Sequence, residues 1–354
     1  MASASAGKVT ISDLARRLGM SKASVSYALN GQPGVSESTR ARVLALAGEL
    51  GWYPSSSARA LSHSRSDTVG IVLYRDPAQI GVETFYMSIL AGIEGVFGVH
   101  GMNLMLRMVD PRTDSIERTR ELAVYERWAG ERRVDGMIIF DHVHQDPRPP
   151  LLQKFRMPHV RLGAGVEVGP AANNSNLTVS QDDDTATIVQ ALHARGHRRI
   201  AFVSGPLELL HEQAKSAGIT AHAARLGMSV VLCPSDYSAH DGGTATIAVL
   251  AGLKPRTPDF PTAVIYGNDL MAVGGLQALQ ELGLAVPRQV SVVSWDDSML
   301  CTLVSPAVAA LARNVGEMGR NSAQMLLELM AGHEARNLQS AAGVLQLRGS
   351  LGSA

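Results

Sequence analysis

Short apolar runs alternate with amphipathic stretches from Val69 to near the end of the chain. Eight runs have the length and composition of buried strands. They are VGIVLY (69–74), NLMLRM (103–108), VDGMIIF (134–140), MPHVRLG (157–163), RRIAFVSG (198–205), MSVVLC (228–233), TAVIYG (262–267) and VSVVSW (290–295). Helical patterns fill several of the intervals, at 87–99, 115–129, 184–195, 271–282 and 317–330. This alternation predicts two doubly wound α/β lobes with parallel sheets, and a ligand cleft beyond the carboxyl ends of the strands.

The composition is that of a globular protein, with 45% hydrophobic and 18% charged residues, and it excludes a disordered chain. A length of 354 residues exceeds what one core usually holds, so we expect more than one domain. No apolar run is long enough to span a bilayer, and the N-terminus has no signal-peptide pattern. We therefore expect a cytoplasmic protein with no membrane partner. Cys233 and Cys301 lack metal-ligand spacing and are expected to be ordinary buried thiols.

Charge is unevenly distributed along the chain, although the formal net charge is zero. Residues 1–68 contain eight Lys or Arg but only four Asp or Glu, so the rest of the chain is acidic. A basic end on an acidic body is typical of a protein that meets nucleic-acid phosphates with that end alone.

The segment TISDLARRLGMSKASVSYALN, residues 10–30, predicts two short helices around a tight turn. Thr10 and Asp13 form a capping-box pattern, Gly19 ends the first helix, and Ser21 caps the second. Two helices joined by a turn that contains glycine form a helix-turn-helix, a motif that reads DNA.

A third helix is predicted after Ser36, through about Leu50, with Val43, Leu44, Ala47 and Leu50 facing inward. The outer face of the second helix carries hydrogen-bonding side chains. They are Lys22, Ser24, Ser26, Tyr27 and Asn30. Short amphipathic helices often do no more than pack on each other. This exposed set, beside the free N–H groups of a helix N-terminus, nevertheless favours DNA reading.

The composition changes after Pro54, where six serines occur among residues 55–67. A helix at residues 58–61 is too short to be stable alone and would order only with a partner. We therefore predict a DNA-binding headpiece at 8–54, a hinge at 55–67 and an effector-binding and dimerisation domain at 68–354. The lobes of that domain are predicted at about 68–167 plus 312–332 and about 168–296 plus 340–350.

With these motifs, the chain resembles the LacI/GalR family of bacterial repressors over nearly its whole length. The motifs are TISDLARRLGMSKASVSYALNG, VSESTRARVLALAGELGWYPSSSARAL, VDGMIIF, DDDTATIVQALHARGHRRIAFVSG, YGNDLMAVGGLQALQELGLAVPRQVSVVSWDDS and VLQLRGSLG. The resemblance implies a core like that of periplasmic sugar-binding proteins, with a ligand between two lobes. It also implies a homodimer that reads near-palindromic operator DNA.

The resemblance further assigns site residues. Base-reading positions fall on Lys22, Ala23 and Tyr27, and phosphate contacts on Thr10, Ser21, Ser24, Ser26 and Asn30. DNA-contacting hinge positions fall on Ser55, Ala58 and Leu61, of which Leu61 matches a wedge in the minor groove. Effector positions fall on Asp182, Lys215, Asn268, Trp295 and Asp296. Lys215 stands where the family usually has Arg, and Trp295 where it has Phe or Tyr, so the pocket departs from the usual pattern.

An enzyme and a solute-binding protein are the alternatives. For an enzyme, the best feature is DHVHQD, residues 141–146, two histidines flanked by acids where a metal could bind. No third ligand converges on it, and no P-loop, G-x-S-x-G or H-E-x-x-H is present. We therefore predict no catalysis, no metal and no cofactor. A solute-binding protein would lack the headpiece and would begin with a signal peptide, so we exclude this alternative.

The expected partners are double-stranded operator DNA, a second copy of the chain and a small effector. No heptads follow the last predicted strand, so we expect a dimer and no higher oligomer. Paired acids, an amide and a cation beside Trp295 suit a polyhydroxylated effector such as a sugar. A nucleobase or a phosphorylated metabolite is the alternative ligand.

Overall fold

The computed structural model describes residues 9–53, 65–115, 118–163 and 173–354. The chain divides into two compact units, Met1–Ser66 and Asp67–Ala354. The second unit begins one residue before the predicted start of the effector-binding domain. Most of the predicted hinge, including Ser55, Ala58 and Leu61, lies outside the described residues.

The described part of the first unit contains three helices. They are α1 (Ile11–Leu18), α2 (Lys22–Leu29) and α3 (Glu37–Glu49). Thr10 and Asp13 form the predicted capping box of α1, and Gly19 ends this helix in the left-handed conformation at φ 64°. The hydroxyls of Ser21 and Ser36 accept backbone N–H groups three residues further on and cap α2 and α3. The predicted boundaries of all three helices are confirmed.

The three helices enclose a small apolar core. Its buried members are Leu14, Ala15, Val25, Ala28, Val43 and Ala47. Leu44, which we expected to face inward, is instead 50% exposed. It adjoins Val43 on α3, and the 100° step between neighbouring residues carries it off the face that Val43 and Ala47 share.

The described part of the second unit contains twelve strands. They are β1 (Thr68–Tyr74), β2 (Asn103–Val109), β3 (Gly136–Ile139), β4 (His159–Leu162), β5 (Asn174–Thr178), β6 (Arg199–Ser204), β7 (Ser229–Pro234), β8 (Ala263–Tyr266), β9 (Ser291–Ser294), β10 (Ala309–Ala312), β11 (Asn337–Gln339) and β12 (Val344–Gln346). The eight strands predicted from apolar runs are all present, within two residues at either end.

Ten α-helices accompany these strands in the described part of the second unit. They are α4 (Pro77–Ile80), α5 (Thr84–Val99), α6 (Thr119–Gly130), α7 (Arg148–Lys154), α8 (Gln181–Ala194), α9 (Leu210–Arg225), α10 (Ala239–Leu250), α11 (Asp269–Glu281), α12 (Met299–Leu303) and α13 (Val315–Met330). A single 3-10 turn at Pro111–Thr113 is also described.

The strands form two six-stranded sheets, with orders β11-β5-β4-β3-β1-β2 and β12-β10-β9-β8-β6-β7. Neighbouring strands run parallel except β10 and β12, which are antiparallel. Helices cover both faces of each sheet: α5 and α13 oppose α6 and α7 on the first, and α10 and α11 oppose α8 and α9 on the second. We call each sheet with its helices a lobe. The predicted two-lobe parallel architecture is confirmed.

The lobe boundaries differ from those that we predicted at 167/168 and near 312. Asn174–Thr178 pairs with β4 and therefore belongs to lobe 1, whereas Ala309–Ala312 pairs with β9 in lobe 2. Asn337–Gln339 returns to the first sheet beside β5. These strands are three to five residues long and are polar or alanine-rich, so they lack the apolar run from which a strand is predicted. The chain thus crosses between the lobes after β5, after β10 and after β11.

Helices α5 and α13 cross closely over the first sheet because glycines face each other there. A Cβ atom on Gly92 would overlap the carbonyl oxygen of Gly316, and one on Gly319 would overlap that of Ile89. Gly95 lies on the same helix as Gly92 but has no atom within 4 Å of its Cβ position. The absent side chain at Gly92 therefore sets the distance between the two helices.

Gly92→Ala should destabilise the protein by about 1 to 3 kcal/mol, because backbone atoms of α13 must move to admit the methyl group. Gly95→Ala is the matched control and should raise stability by up to about 1 kcal/mol through helix propensity alone. Urea unfolding of both variants measures the difference. Equal effects from the two alanines would show that the close crossing does not constrain the fold.

Candidate functional site

Helix α2 presents a polar face to solvent. Lys22, Ala23 and Tyr27 are exposed, Tyr27 by 45%, while Val25 and Ala28 on the opposite face are buried. The three residues that the resemblance assigns to base reading therefore share the accessible side of one helix. A helix of this width fits the major groove of B-DNA.

The predicted phosphate-contacting residues surround the same helix and are held by local hydrogen bonds. The Ser21 and Ser24 hydroxyls lie 2.8 Å apart, and the Asn30 side chain donates to Ser26 Oγ at 3.2 Å. Thr10 donates to Asp13 at 2.7 Å, so its hydroxyl proton is already used by the capping box. The first N–H groups of α2 have no acceptor within the helix and could meet an anion.

The second unit contains a cleft of about 740 Å³, part of it open to solvent, between the carboxyl ends of the two sets of strands. Each of five lining residues directly follows a strand or lies within two residues of its end. They are Arg75 after β1, Asp141 after β3, Asn268 after β8, Asp296 after β9 and Arg313 after β10. Parallel strands bring these positions to one edge of each sheet, as the strand pattern predicted.

Three of the five predicted effector residues line this cleft: Lys215, Asn268 and Asp296. Asn268 caps α11 through its Oδ1 and donates from Nδ2 to the Tyr237 carbonyl at 3.0 Å. Asp296 accepts a hydrogen bond from Arg313 at 2.5 Å. Each side chain keeps further hydrogen-bonding capacity for a ligand.

Asp182 does not reach the cleft. Its side chain is 81% exposed and accepts from His222 Nε2 at 2.9 Å, while its neighbour Gln181 lines the cleft instead. The two residues open α8, where a step of one residue turns the side chain by about 100°. The structure therefore places Asp182 outside this cleft, unlike Lys215, Asn268 and Asp296.

Trp295 lies beneath the cleft and does not line it. Its ring is fully buried in the core between the second sheet and helices α8 and α9. Side chains alternate along an extended chain, so Trp295 points inward where Asp296 points to the cleft. The Lys215 ammonium lies 4.9 Å from the ring centroid and the Arg313 guanidinium 5.7 Å, so the indole stabilises both cations from below.

The lobe 1 wall is built on an ion pair between Arg75 and Asp141 at 3.2 Å. Tyr86 donates to Asp141 at 2.6 Å, and the guanidinium lies over the rings of Tyr86 and Tyr237. Burial disfavours the charged form of both side chains, but the attraction between the two charges outweighs this effect. The pKa of Arg75 is raised above its usual value and that of Asp141 is lowered.

The lobe 2 wall contains a second buried cluster around Glu212. This carboxylate accepts from Lys215 at 2.5 Å, from Tyr237 at 2.8 Å and from the Gly205 N–H at 2.8 Å. Burial raises the pKa of Glu212, but the Lys215 charge and these bonds lower it below its usual value. Burial lowers the pKa of His211 to about 4, so its ring is neutral at pH 7.

Two further carboxylates line the cleft, Glu83 and Asp269. Burial raises the pKa of Glu83 to about 7, and it also raises the pKa of Asp269, with the charge of Asp296 adding to the effect. The Thr84 hydroxyl donates to Asp269 at 2.8 Å. This bond joins lobe 1 to lobe 2, as does the bond from the Leu210 N–H to the His142 carbonyl at 2.9 Å.

Sequence reasoning did not find Arg75, Glu83, His211, Tyr237, Asp269 and Arg313. The rule that ligands lie beyond the carboxyl ends of strands could have found Arg75, which directly follows the apolar run VGIVLY. Glu83, His211 and Tyr237 come from helix starts and connections, where no pattern in the sequence distinguishes them.

The DHVHQD segment, considered above as a metal site, is engaged in side-chain pairs. Asp141 pairs with Arg75, and Asp146 accepts from His142 at 3.2 Å and from Arg148 at 2.7 Å. Among the described residues, no three His, Cys, Asp or Glu side chains are grouped so as to hold a metal ion. None of the described helices combines the length and the hydrophobicity that a membrane-spanning segment needs.

Comparison with known families gives two matches. Residues 10–55 match the model of bacterial regulatory proteins of the lacI family, and residues 189–351 match that of the periplasmic binding protein-like domain. Catabolite control protein A of Priestia megaterium is 30% identical over 327 residues, which cover 91% of this chain and 92% of the relative. The ribose operon repressor of Escherichia coli K12 is 28% identical over 90% of this chain and 92% of its own.

Solved structures agree with these matches. The lac repressor dimer bound to operator and the anti-inducer ONPF is 25% identical with a TM-score of 0.81, covering 97% of this chain and 98% of its own. A complex of the transcriptional regulator CelR with cellobiose is 26% identical with a TM-score of 0.70, covering 97% of this chain and all of its own. The prediction of a DNA-binding transcription regulator that is not an enzyme is confirmed by these relatives.

Asp141→Ala should destabilise the second unit by about 3 to 5 kcal/mol, because it leaves the buried Arg75 guanidinium without its anion. Asp182→Ala removes a carboxylate from an exposed pair and should cost no more than about 1 kcal/mol. Denaturant unfolding followed by tryptophan fluorescence compares the two variants. A cost at Asp141 as small as that at Asp182 would mean that the Arg75 pair does not support the cleft wall.

Proposed function

Since the chain belongs to the lacI family of bacterial regulatory proteins, we propose that it is a repressor that binds a near-palindromic operator as a homodimer. A small polyhydroxylated molecule in the cleft between the lobes controls that binding. The effector site is proposed because charged and amide side chains of both lobes converge in the cleft. A regulator of this kind acts on the chromosome and therefore in the cytoplasm.

The polar face of α2 supports the proposed DNA contact. Lys22 offers an ammonium group to guanine acceptors, and Tyr27 a planar side chain with a hydroxyl, at the edge of the major groove. Ser21, Ser24, Ser26, Asn30 and Thr10 flank this face and position it on the phosphates. Each protomer presents one such helix, so a two-fold dimer reads two half-sites about one helical turn apart. The proposed hinge contacts of Ser55, Ala58 and Leu61 rest on the family resemblance.

The chemistry of the cleft supports a sugar-like effector. Asp296, Asn268 and Lys215 supply acceptors and donors for hydroxyl groups, and Phe85, Tyr86 and Tyr237 among the lining residues offer apolar surface to the faces of a sugar ring. One solved relative, the transcriptional regulator CelR, was solved as a complex with cellobiose. Control of DNA binding requires that the ligand favour one arrangement of the lobes, and DNA and ligand must then change each other's affinity by the same factor.

Lys22→Ala should relax specificity by about 1 to 3 kcal/mol at one base pair of each half-site, because a base contact is lost. Arg42→Ala removes an exposed positive charge from α3 and is the matched control, expected to affect all sequences alike. The affinity of each protein variant for operators mutated at each position, measured at fixed salt, distinguishes the loss of a base contact from the loss of a phosphate contact. Uniform weakening by Lys22→Ala would make Lys22 a phosphate contact.

Asp296→Ala should abolish the response to the effector while leaving operator affinity largely intact. The effector is first found by a thermal-shift screen, since a ligand at 100 times its Kd adds about 2.7 kcal/mol. Fluorescence polarisation on labelled operator DNA then follows the response of each variant. Asp182→Ala, which alters a carboxylate outside the cleft, should respond as the unmodified protein does. An Asp296→Ala protein that responds at the same ligand concentration would place the effector elsewhere.

A further inference from the structure

The charged groups of the cleft do not balance. Its three cations each have a carboxylate partner: Arg75 pairs with Asp141 at 3.2 Å, Lys215 with Glu212 at 2.5 Å and Arg313 with Asp296 at 2.5 Å. His211 is neutral at pH 7 because burial lowers its pKa to about 4. In the described part of the chain, no cation of the cleft is left over for a further anion.

Glu83 and Asp269 line the same cleft without such a partner. Glu83 is 7% exposed, its Oε1 atom is buried without a hydrogen bond, and no cation of the described chain pairs with it within 4 Å. Asp269 is 3% exposed and accepts only uncharged donors, which are the Thr84 hydroxyl at 2.8 Å, the Leu270 N–H at 2.9 Å and the Ser298 side chain. Because Thr84 is adjacent to Glu83, its bond to Asp269 holds both carboxylates in one part of the cleft.

A buried carboxylate that lacks a cation is costly, and proteins usually pair or protonate such a group. A ligand that brings the missing cation removes that cost, whereas a neutral hydroxyl group does not. We propose that the effector carries a protonated amino group beside its hydroxyl groups, as an amino sugar does, and that Glu83 and Asp269 bind this ammonium. This inference rests on the proposed function, because it specifies the ligand of the same cleft.

The charges around Glu83 determine how binding depends on pH. Burial raises the pKa of Glu83 to about 7; the charge of Arg75 opposes this rise, whereas the charges of Asp141, Asp296 and Asp269 add to it. An ammonium ligand binds the ionised carboxylate and so releases a proton from Glu83. Affinity for an amino sugar should therefore fall as pH falls below 7, by at most about tenfold per pH unit, because one proton is exchanged.

The test uses the full-length protein and three matched pairs of probes: glucose with glucosamine, galactose with galactosamine, and mannose with mannosamine. Calorimetric titration at pH 7 should show at least one amino sugar that binds roughly tenfold or more tightly than its parent, as one charge-assisted hydrogen bond provides. If, in every pair that binds, the parent sugar binds as tightly as its amino derivative or more tightly, the inference is overturned.

Glu83→Gln keeps the size of the side chain and removes its charge, so it should abolish both the preference for the amino sugar and its pH dependence from 7 to 5. Glu94→Gln, on the exposed side of α5, the helix that begins directly after Glu83, is the matched control and should change neither. If Glu83→Gln does not fold, Asp269→Asn takes its place with the same expected loss of preference. A variant that folds and retains the full preference would remove the carboxylates from this role.

The two proposals fail in different ways. If parent sugars bind and Asp296→Ala removes that binding, but amino sugars have no advantage, the proposed sugar effector stands and the ammonium site is rejected. If no member of any pair binds at millimolar concentration, the sugar effector and the ammonium site are both rejected.

Discussion

The parallel arrangement of the strands is the constraint on which the functional geometry depends. Parallel neighbours require helical crossovers, which cover both faces of each sheet and leave the carboxyl ends as the accessible edge. In this chain the carboxyl ends of two such sheets border one cleft, and residues as distant in sequence as Arg75 and Arg313 both line it. The residues that follow the strands are thereby free to differ without changing the fold.

Burying a charge in this cleft costs free energy, and ion pairs and aromatic contacts among the lining and neighbouring residues reduce that cost. Arg75 with Asp141, and Lys215 with Glu212, are pairs whose attraction outweighs burial, so the carboxyls of both pairs remain ionised. Aromatic rings add to this, since Trp295 lies under two cations and Tyr86 and Tyr237 lie beside Arg75. Among the described residues, Glu83 forms neither an ion pair within 4 Å nor a ring contact, and of the cations only the charge of Arg75 favours its ionised form. Because the paired carboxylates of the same cavity have lowered pKa values, the raised pKa of Glu83 identifies it as a candidate ligand-binding group.

The sequence predicts those parts of the fold whose residues show a periodic pattern or a local capping motif, and it does not predict the others. The caps at Thr10, Ser21 and Ser36 and the eight apolar strands were predicted because local hydrogen bonding and burial alone determine them. The strand Asn174–Thr178 was missed because its pairing with β4, and not its own polar residues, makes it a strand. Asp182 and Trp295 do not line the cleft, because resemblance gives a position along the chain, whereas the side of the helix or strand decides whether a side chain reaches the cleft.

The hydrogen bond from Thr84 to Asp269 connects the chemistry of the cleft to the arrangement of the lobes. It spans from the start of α5 in lobe 1 to the start of α11 in lobe 2, so it exists only while the lobes are close. A ligand that engages Asp269 either reinforces this bond or competes with it. In both cases the free energy of ligand binding differs between a closed and an open arrangement, and a difference of that kind is the thermodynamic requirement for a ligand to shift a conformational equilibrium. The carboxylates that select the ligand are therefore also groups through which ligand binding can control the closure of the lobes.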